Sequence, residues 1–232
     1  MSFAIKSKKS GSAHKATVYI VRLAFLAAML TAFKLALSFV PNVEVVTLLI
    51  TVYASALGIA YALPAVLVFC TVEIALYGVG SWVLLYYVYW TLLAVVSSAL
   101  LKGKRTWLAI LIGIMGSILF GVLSACCDTL FCVVSLAPSR LGDYFAAYYI
   151  RGLYFDVVHT LSNAIILALL YAPLTAVLKR VAPVASSSAR APRKLRPFML
   201  DFYFREENKM PSEDGEGFYD TTVASRAERI DT

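Results

Sequence analysis

The sequence predicts an all-α membrane protein: a six-transmembrane-helix bundle with both termini cytoplasmic and a disordered C-terminal tail. Three observations predict it. The 232 residues are 60% hydrophobic and 15% charged, with a mean hydropathy of +0.77. A water-soluble domain sits near about 45–50% apolar and about 25% charged, so a soluble globular enzyme is excluded. The apolar residues gather into runs of roughly 20, the length that crosses a bilayer core. The basic residues gather into a few short stretches between those runs. Net charge is +7 overall, but +8 on residues 1–182 and −1 on 183–232. That distribution marks membrane sidedness rather than nucleic-acid binding.

The first span is expected over about Thr17 to Val40, stopping at Pro41-Asn42, after a basic cytoplasmic segment 1–16. Its apolar run is too long for a cleavable signal core, and no small-residue cleavage site follows, so it is retained. The second runs from about Val45 to Leu63, ended by Pro64, and the third from about Pro64 to Tyr77, ended by Gly78-Val79-Gly80. The fourth covers about Trp82 to Leu101 and is closed by Lys102, Lys104 and Arg105. The fifth stays apolar from Trp107 to about Val134, long enough to predict a bend or break near Ser124–Asp128. The sixth spans about Gly152 to Leu178 and is closed by Lys179-Arg180.

Six crossings put both ends on one side. Lys6, Lys8, Lys9, Lys15, Arg22, Lys102, Lys104, Arg105, Lys179 and Arg180 then share a face, against Arg140 and Arg151 opposite. Ten against two places that face in the cytoplasm of a multi-pass cytoplasmic-membrane protein. The transmembrane domain therefore occupies 17–182. The tail 183–232 opens with the Ser/Ala/Pro-rich stretch 185–192. It holds too few apolar residues to offset the entropy of ordering. Its Phe198–Phe204 cluster is the one stretch suited to docking on a membrane or a partner.

Polar residues inside spans are costly and so are functional candidates. Here they are Lys34, Glu73, Asp128, Asp156, His159 and Asn163. Asp156, His159 and Asn163 follow i, i+3, i+7, one stripe of span six, with Arg151 at its outer mouth. That stripe reads either as a polar seam between helices or as the lining of a solvated pocket, the seam being preferred for Asn163. Trp82, Tyr86 and Tyr89 follow i, i+4, i+7 on span four. Interfacial belts explain Trp82, and a column running deeper would suit stacking on a flat ligand. Span one carries Ala24, Ala28, Ala32 and Ala36, and span five carries Gly113, Ser117, Gly121 and Ala125. Such small-residue ladders permit close helix approach in lipid. The span-five ladder is expected to pack inside the bundle, whereas the span-one ladder also fits docking to a separate membrane subunit. Cys70, Cys126, Cys127 and Cys132 lack zinc spacing and read as reduced, buried apolar residues, and neither a metal nor a cofactor is expected.

Pro41-Asn42-Val43-Glu44, Phe120-Gly121-Val122-Leu123, the run Gly152 to His159, Asn163 and Tyr171-Ala172-Pro173-Leu174 together carry a resemblance. Over about residues 17–180 the chain resembles the substrate-binding S components of energy-coupling factor (ECF) vitamin transporters. The resemblance implies a high-affinity vitamin- or micronutrient-binding subunit of an ABC-type importer, with substrate captured from outside. It implies two cytoplasmic ATPase subunits and a membrane-embedded coupling subunit that meets Ala24, Ala28, Ala32 and Ala36. It also implies that the loop after span one closes the pocket. The substrate-binding candidates are Asn42, Glu44, Tyr86, Tyr89, Arg151, Asp156 and His159. No G-x4-G-K-[ST] motif occurs, so ATP is left to partners.

Two other classes compete. His159-x3-Asn163 resembles one motif of membrane-embedded CAAX-type proteases. Those also need paired glutamates and another helix-borne histidine, and the only other histidine here is His14. An intramembrane Ser–His dyad stays open. A small channel or scaffold would leave the buried acids unexplained unless they line a pore.

Overall fold

A computed structural model describes residues 3–101, 105–133 and 137–181, without the side chains of 3–13. The tail 183–232, Lys102 and Lys104 lie outside the described residues, as do the side chains of Lys6, Lys8 and Lys9. The described chain is helical throughout, with no strand: α1 Phe3–Ala36, α2 Val46–Leu57, α3 Ile59–Tyr77, α4 Ser81–Leu100, α5 Thr106–Cys132 and α6 Leu141–Val181, with a 3-10 turn at Pro138–Arg140. Five of the helices are long and apolar enough to cross a membrane. At 12 residues α2 is about 18 Å long, short of the roughly 30 Å hydrocarbon core.

The elements differ from the expected spans at four points. The break between the second and third helices falls at Gly58, not Pro64. Gly58 has φ 79° and ψ 177°, a backbone region open in practice only to glycine. Its amide closes α2 on the Ala54 carbonyl, while its carbonyl accepts the Tyr61 and Ala62 amides that open α3. Pro64 sits inside α3. A helical proline leaves the carbonyl four residues earlier without its usual donor. That carbonyl, on Ala60, accepts the Tyr19 hydroxyl of α1 at 2.6 Å.

The expected break near Ser124–Asp128 is absent, and α5 runs unbroken to Cys132. Asp128 does not compete for its own backbone, because its carboxylate accepts hydroxyl bonds from Ser81 at 2.6 Å and from Tyr144. Helix α6 begins at Leu141, well before Gly152. Its first three turns carry Tyr144, Phe145, Tyr148 and Tyr149, aromatic rather than uniformly apolar. Finally, α1 ends at Ala36 and leaves 37–45 as a loop. Within it Asn42 takes φ 58°, the left-handed region that asparagine tolerates best after glycine.

Cross-links between helices set the topology. Tyr19 meets Ala60 and Lys34 meets Glu73, so α1 and α3 run parallel. Ser81 meets Asp128 and Tyr89 meets Phe120, so α4 and α5 run antiparallel. Asn163 meets Ser117 and Tyr144 meets Asp128, so α5 and α6 do too. The start of α1, the α4–α5 connection and the end of α6 consequently share one end of the bundle. Helix α2 packs against all five other helices and is buried over Val46–Ala54 and at Leu57. Outward faces carry large exposed apolar side chains, including Phe25, Met115, Val157 and Leu169. In water such a surface would aggregate, whereas lipid solvates it. The molecule is a multi-pass membrane bundle.

Candidate functional site

The α1–α2 loop dips into the bundle instead of capping it. Glu44, near its end, accepts the Thr47 amide at 2.9 Å, so a negative charge sits at the N-terminus of α2, where the helix dipole favours it. Its other oxygen lies 3.3 Å from His159 Nε2 on α6. The His159 ring meets Phe120 of α5 edge to face at 5.1 Å. Phe120 is twelve residues from the C-terminal end of α5, about 18 Å, so Glu44 reaches well inside the bundle. A second contact pins the loop: Ser162 of α6 donates to the Asn42 carbonyl at 3.2 Å. Asn42 therefore contributes through its backbone and its turn conformation.

Aromatic rings continue from Phe120 toward the end of the bundle opposite the start of α1 and the end of α6. Tyr89 packs on Phe120 at 4.9 Å and on Trp90 at 4.6 Å. Tyr86 packs on Trp90 at 6.0 Å, on Trp82 at 5.2 Å and beside Phe69 at 6.5 Å. The spacing on α4 does build an inward column, with Tyr89 almost wholly buried. Tyr87 leaves it and meets the exposed Thr71 hydroxyl at 2.8 Å.

Above this column sits a group absent from the sequence-based site. Lys34 of α1 forms an ion pair with Glu73 of α3. Its ammonium lies 4.8 Å from the Tyr77 ring centroid and 5.0 Å from that of Tyr86. Both charges were visible as costly residues inside spans. Their pairing, across 39 positions of sequence, was not. Four buried polar atoms of the column, the pair and His159 make no hydrogen bond: Glu73 Oε1, the Tyr89 hydroxyl, Trp90 Nε1 and His159 Nδ1. Buried polar groups ordinarily have partners, so this interior offers a carboxylate oxygen, a hydroxyl and two ring nitrogens to a polar guest.

The remaining candidates separate from this cluster. Asn163 donates to Ser117 at 3.0 Å, and Ser117 donates to the Gly113 carbonyl at 2.9 Å, which is a helix seam. Arg151 is exposed. Asp156 lies with its carboxylate against Gly121, where an added Cβ would stand 2.0 Å from Oδ2. No described serine hydroxyl is hydrogen-bonded to the His159 ring; the Ser162 hydroxyl is shared between the Asn42 carbonyl at 3.2 Å and the His159 backbone carbonyl at 3.0 Å.

The two small-residue ladders have opposite fates. Gly113, Ser117, Gly121 and Ala125 are all buried, and a Cβ at Gly113 would stand 2.1 Å from Leu167 of α6. Ala24, Ala28, Ala32 and Ala36 are all exposed, while Leu26, Ala27 and Leu30 turn inward. All four cysteines are free. Cys70 and Cys127 are buried, but Cys126 faces outward and Cys132 is only half-buried, a correction to the expected burial of all four. Among the described residues no group of three metal-ligating side chains occurs. Comparison of the chain with known protein families, curated proteins and solved structures gave no match.

Proposed function

We propose that this protein is the substrate-binding component of an ECF-type vitamin importer, with both termini in the cytoplasm of a cytoplasmic-membrane protein. The observation that carries the proposal is the exposed alanine face of α1. Within one chain, the same small-residue pattern is covered on α5 and bare on α1. Lipid supplies no hydrophobic force between helices, and close backbone approach favours association. The bare ladder therefore suits a membrane-embedded coupling subunit, which would link the bundle to two cytoplasmic ATPases.

The interior supports the capture half of the reading. The α1–α2 loop, held on α6 by Asn42 and Glu44, closes the interior from within rather than as a lid. On the exterior side of Glu44, Tyr86 and Tyr89 form a wall for a flat ligand, and Glu44 and His159 supply polar contacts at its floor. Lys34 and Glu73 join them on the side toward the exterior. Arg151 and Asp156 are anchors only if α6 turns on binding, and they carry less of the reading. Such a component does no chemistry of its own. Purified protein should bind one vitamin without partners. Thermal-shift screening against a vitamin panel should find one compound that raises the melting temperature, and Tyr89→Ala should lose the shift. No response to any vitamin would count against the proposal.

A further inference from the structure

Each acid in the bundle interior has a donor, with one exception. Glu44 has the Thr47 amide, Glu73 has Lys34, and Asp128 has Ser81 and Tyr144. Asp156 accepts no hydrogen bond from any described residue. His159, one turn along α6, directs Nε2 to Glu44. Asp156, its carboxylate against Gly121, is instead one of the residues lining a cavity of about 500 Å³ between α5 and α6, within the size range of small-molecule sites.

Three features define what that cavity accepts. Its walls are apolar, formed by Ile118, Leu153, Val157 and Leu161. Those same side chains are 42–65% exposed, so the mouth opens sideways, toward hydrocarbon, rather than into the polar interior. Its acid lies level with Gly121, eleven residues from the end of α5, or about 16 Å of helix. That is near the middle of a roughly 30 Å hydrocarbon core, where an unpaired carboxylate is most costly. Gly121 makes room for it, since any side chain there would overlap the carboxylate.

The geometry points to a lateral binding site for a membrane-dissolved amine, with its hydrocarbon body along α6 and its ammonium on Asp156. Charge complementarity selects this occupant over a neutral lipid tail. The sideways mouth selects it over a water-soluble vitamin. The site does not depend on the transport proposal, because its ligand arrives through the bilayer and needs neither the α1–α2 loop nor a coupling subunit.

The test uses the full chain in phosphatidylcholine nanodiscs and two fluorescent decyl probes, one ending in a primary amine and one in a hydroxyl. The amine should bind saturably and at least tenfold more tightly than the alcohol. Asp156→Asn should abolish that preference. Leu161→Trp, which fills the groove from an exposed position and leaves the acid in place, should weaken both probes. Equal binding of the two probes would reduce the groove to a lipid-tail crevice and overturn the proposal. So would an amine preference that survives Asp156→Asn. Photo-cross-linking from position 157 in native membranes that yields a protein adduct would overturn it in favour of a partner helix.

Discussion

Lys34→Met strands a carboxylate that the fold has no other means to neutralise. The Glu73 side chain is 0% exposed, and that of Lys34 is 25% exposed. Removing one partner of a buried ion pair costs about 3–5 kcal/mol, because the survivor stays desolvated and alone. Glu73 has no other hydrogen-bond donor in the described bundle, so Lys34→Met should fall in that range. Glu73→Leu should cost less. It leaves a lysine that is partly exposed and still lies over Tyr77 and Tyr86, contacts worth about 0.5–2 kcal/mol. Replacing both charges removes both penalties, and the double variant Lys34→Met/Glu73→Leu should recover most of the loss, to within about 1–2 kcal/mol of the parent. Equilibrium unfolding of the four proteins in one detergent gives the cycle directly. A coupling energy near zero, or Lys34→Met costing no more than Glu73→Leu, would refute the reasoning.

Other consequences are separable. Tyr19→Phe should cost about 1–3 kcal/mol, since it orphans the Ala60 carbonyl. The cost should shrink in a Pro64→Ala background, where the restored amide supplies the missing donor; unfolding measurements on both backgrounds decide it. Gly113→Ala should destabilise by about 1–3 kcal/mol, because the new methyl group must displace Leu167 from the α5–α6 seam. Gly58→Ala should be worse tolerated than Pro64→Ala, as only the former sits at positive φ, and melting temperatures should rank them so. Ser162→Ala should loosen the α1–α2 loop, read as faster amide exchange over residues 37–45 with little change elsewhere.

The sequence made the helices legible where composition alone defines them. Apolar runs bounded by charge or glycine placed α4 and the C-terminal half of α6 well, because lipid demands just that patterning. It misplaced the α2–α3 turn because Pro64 carries the stronger textual signal for a break. The actual break depends on the backbone freedom of Gly58, and the helix through Pro64 depends on a hydroxyl from another helix. It missed the early start of α6, whose first turns are aromatic and polar. Asn163 and the α5 ladder were readable as seam and packing face, since i+4 spacing fixes the stripe. The exposure of the α1 ladder was not readable, because spacing defines a face without saying what covers it. Lys34 and Glu73 stood out as expensive residues, yet only the parallel docking of α1 on α3 shows that they answer each other.

The most direct measurement is affinity purification of the tagged protein from its native membrane, alone and as Ala28→Trp. A vitamin-capturing subunit that docks through α1 should bring down a membrane coupling protein and two ATPases. The tryptophan variant, changed at an exposed position, should melt as the parent does and bring down none of them. A parent that never co-purifies with ATPases, or a variant that retains them, would contradict it.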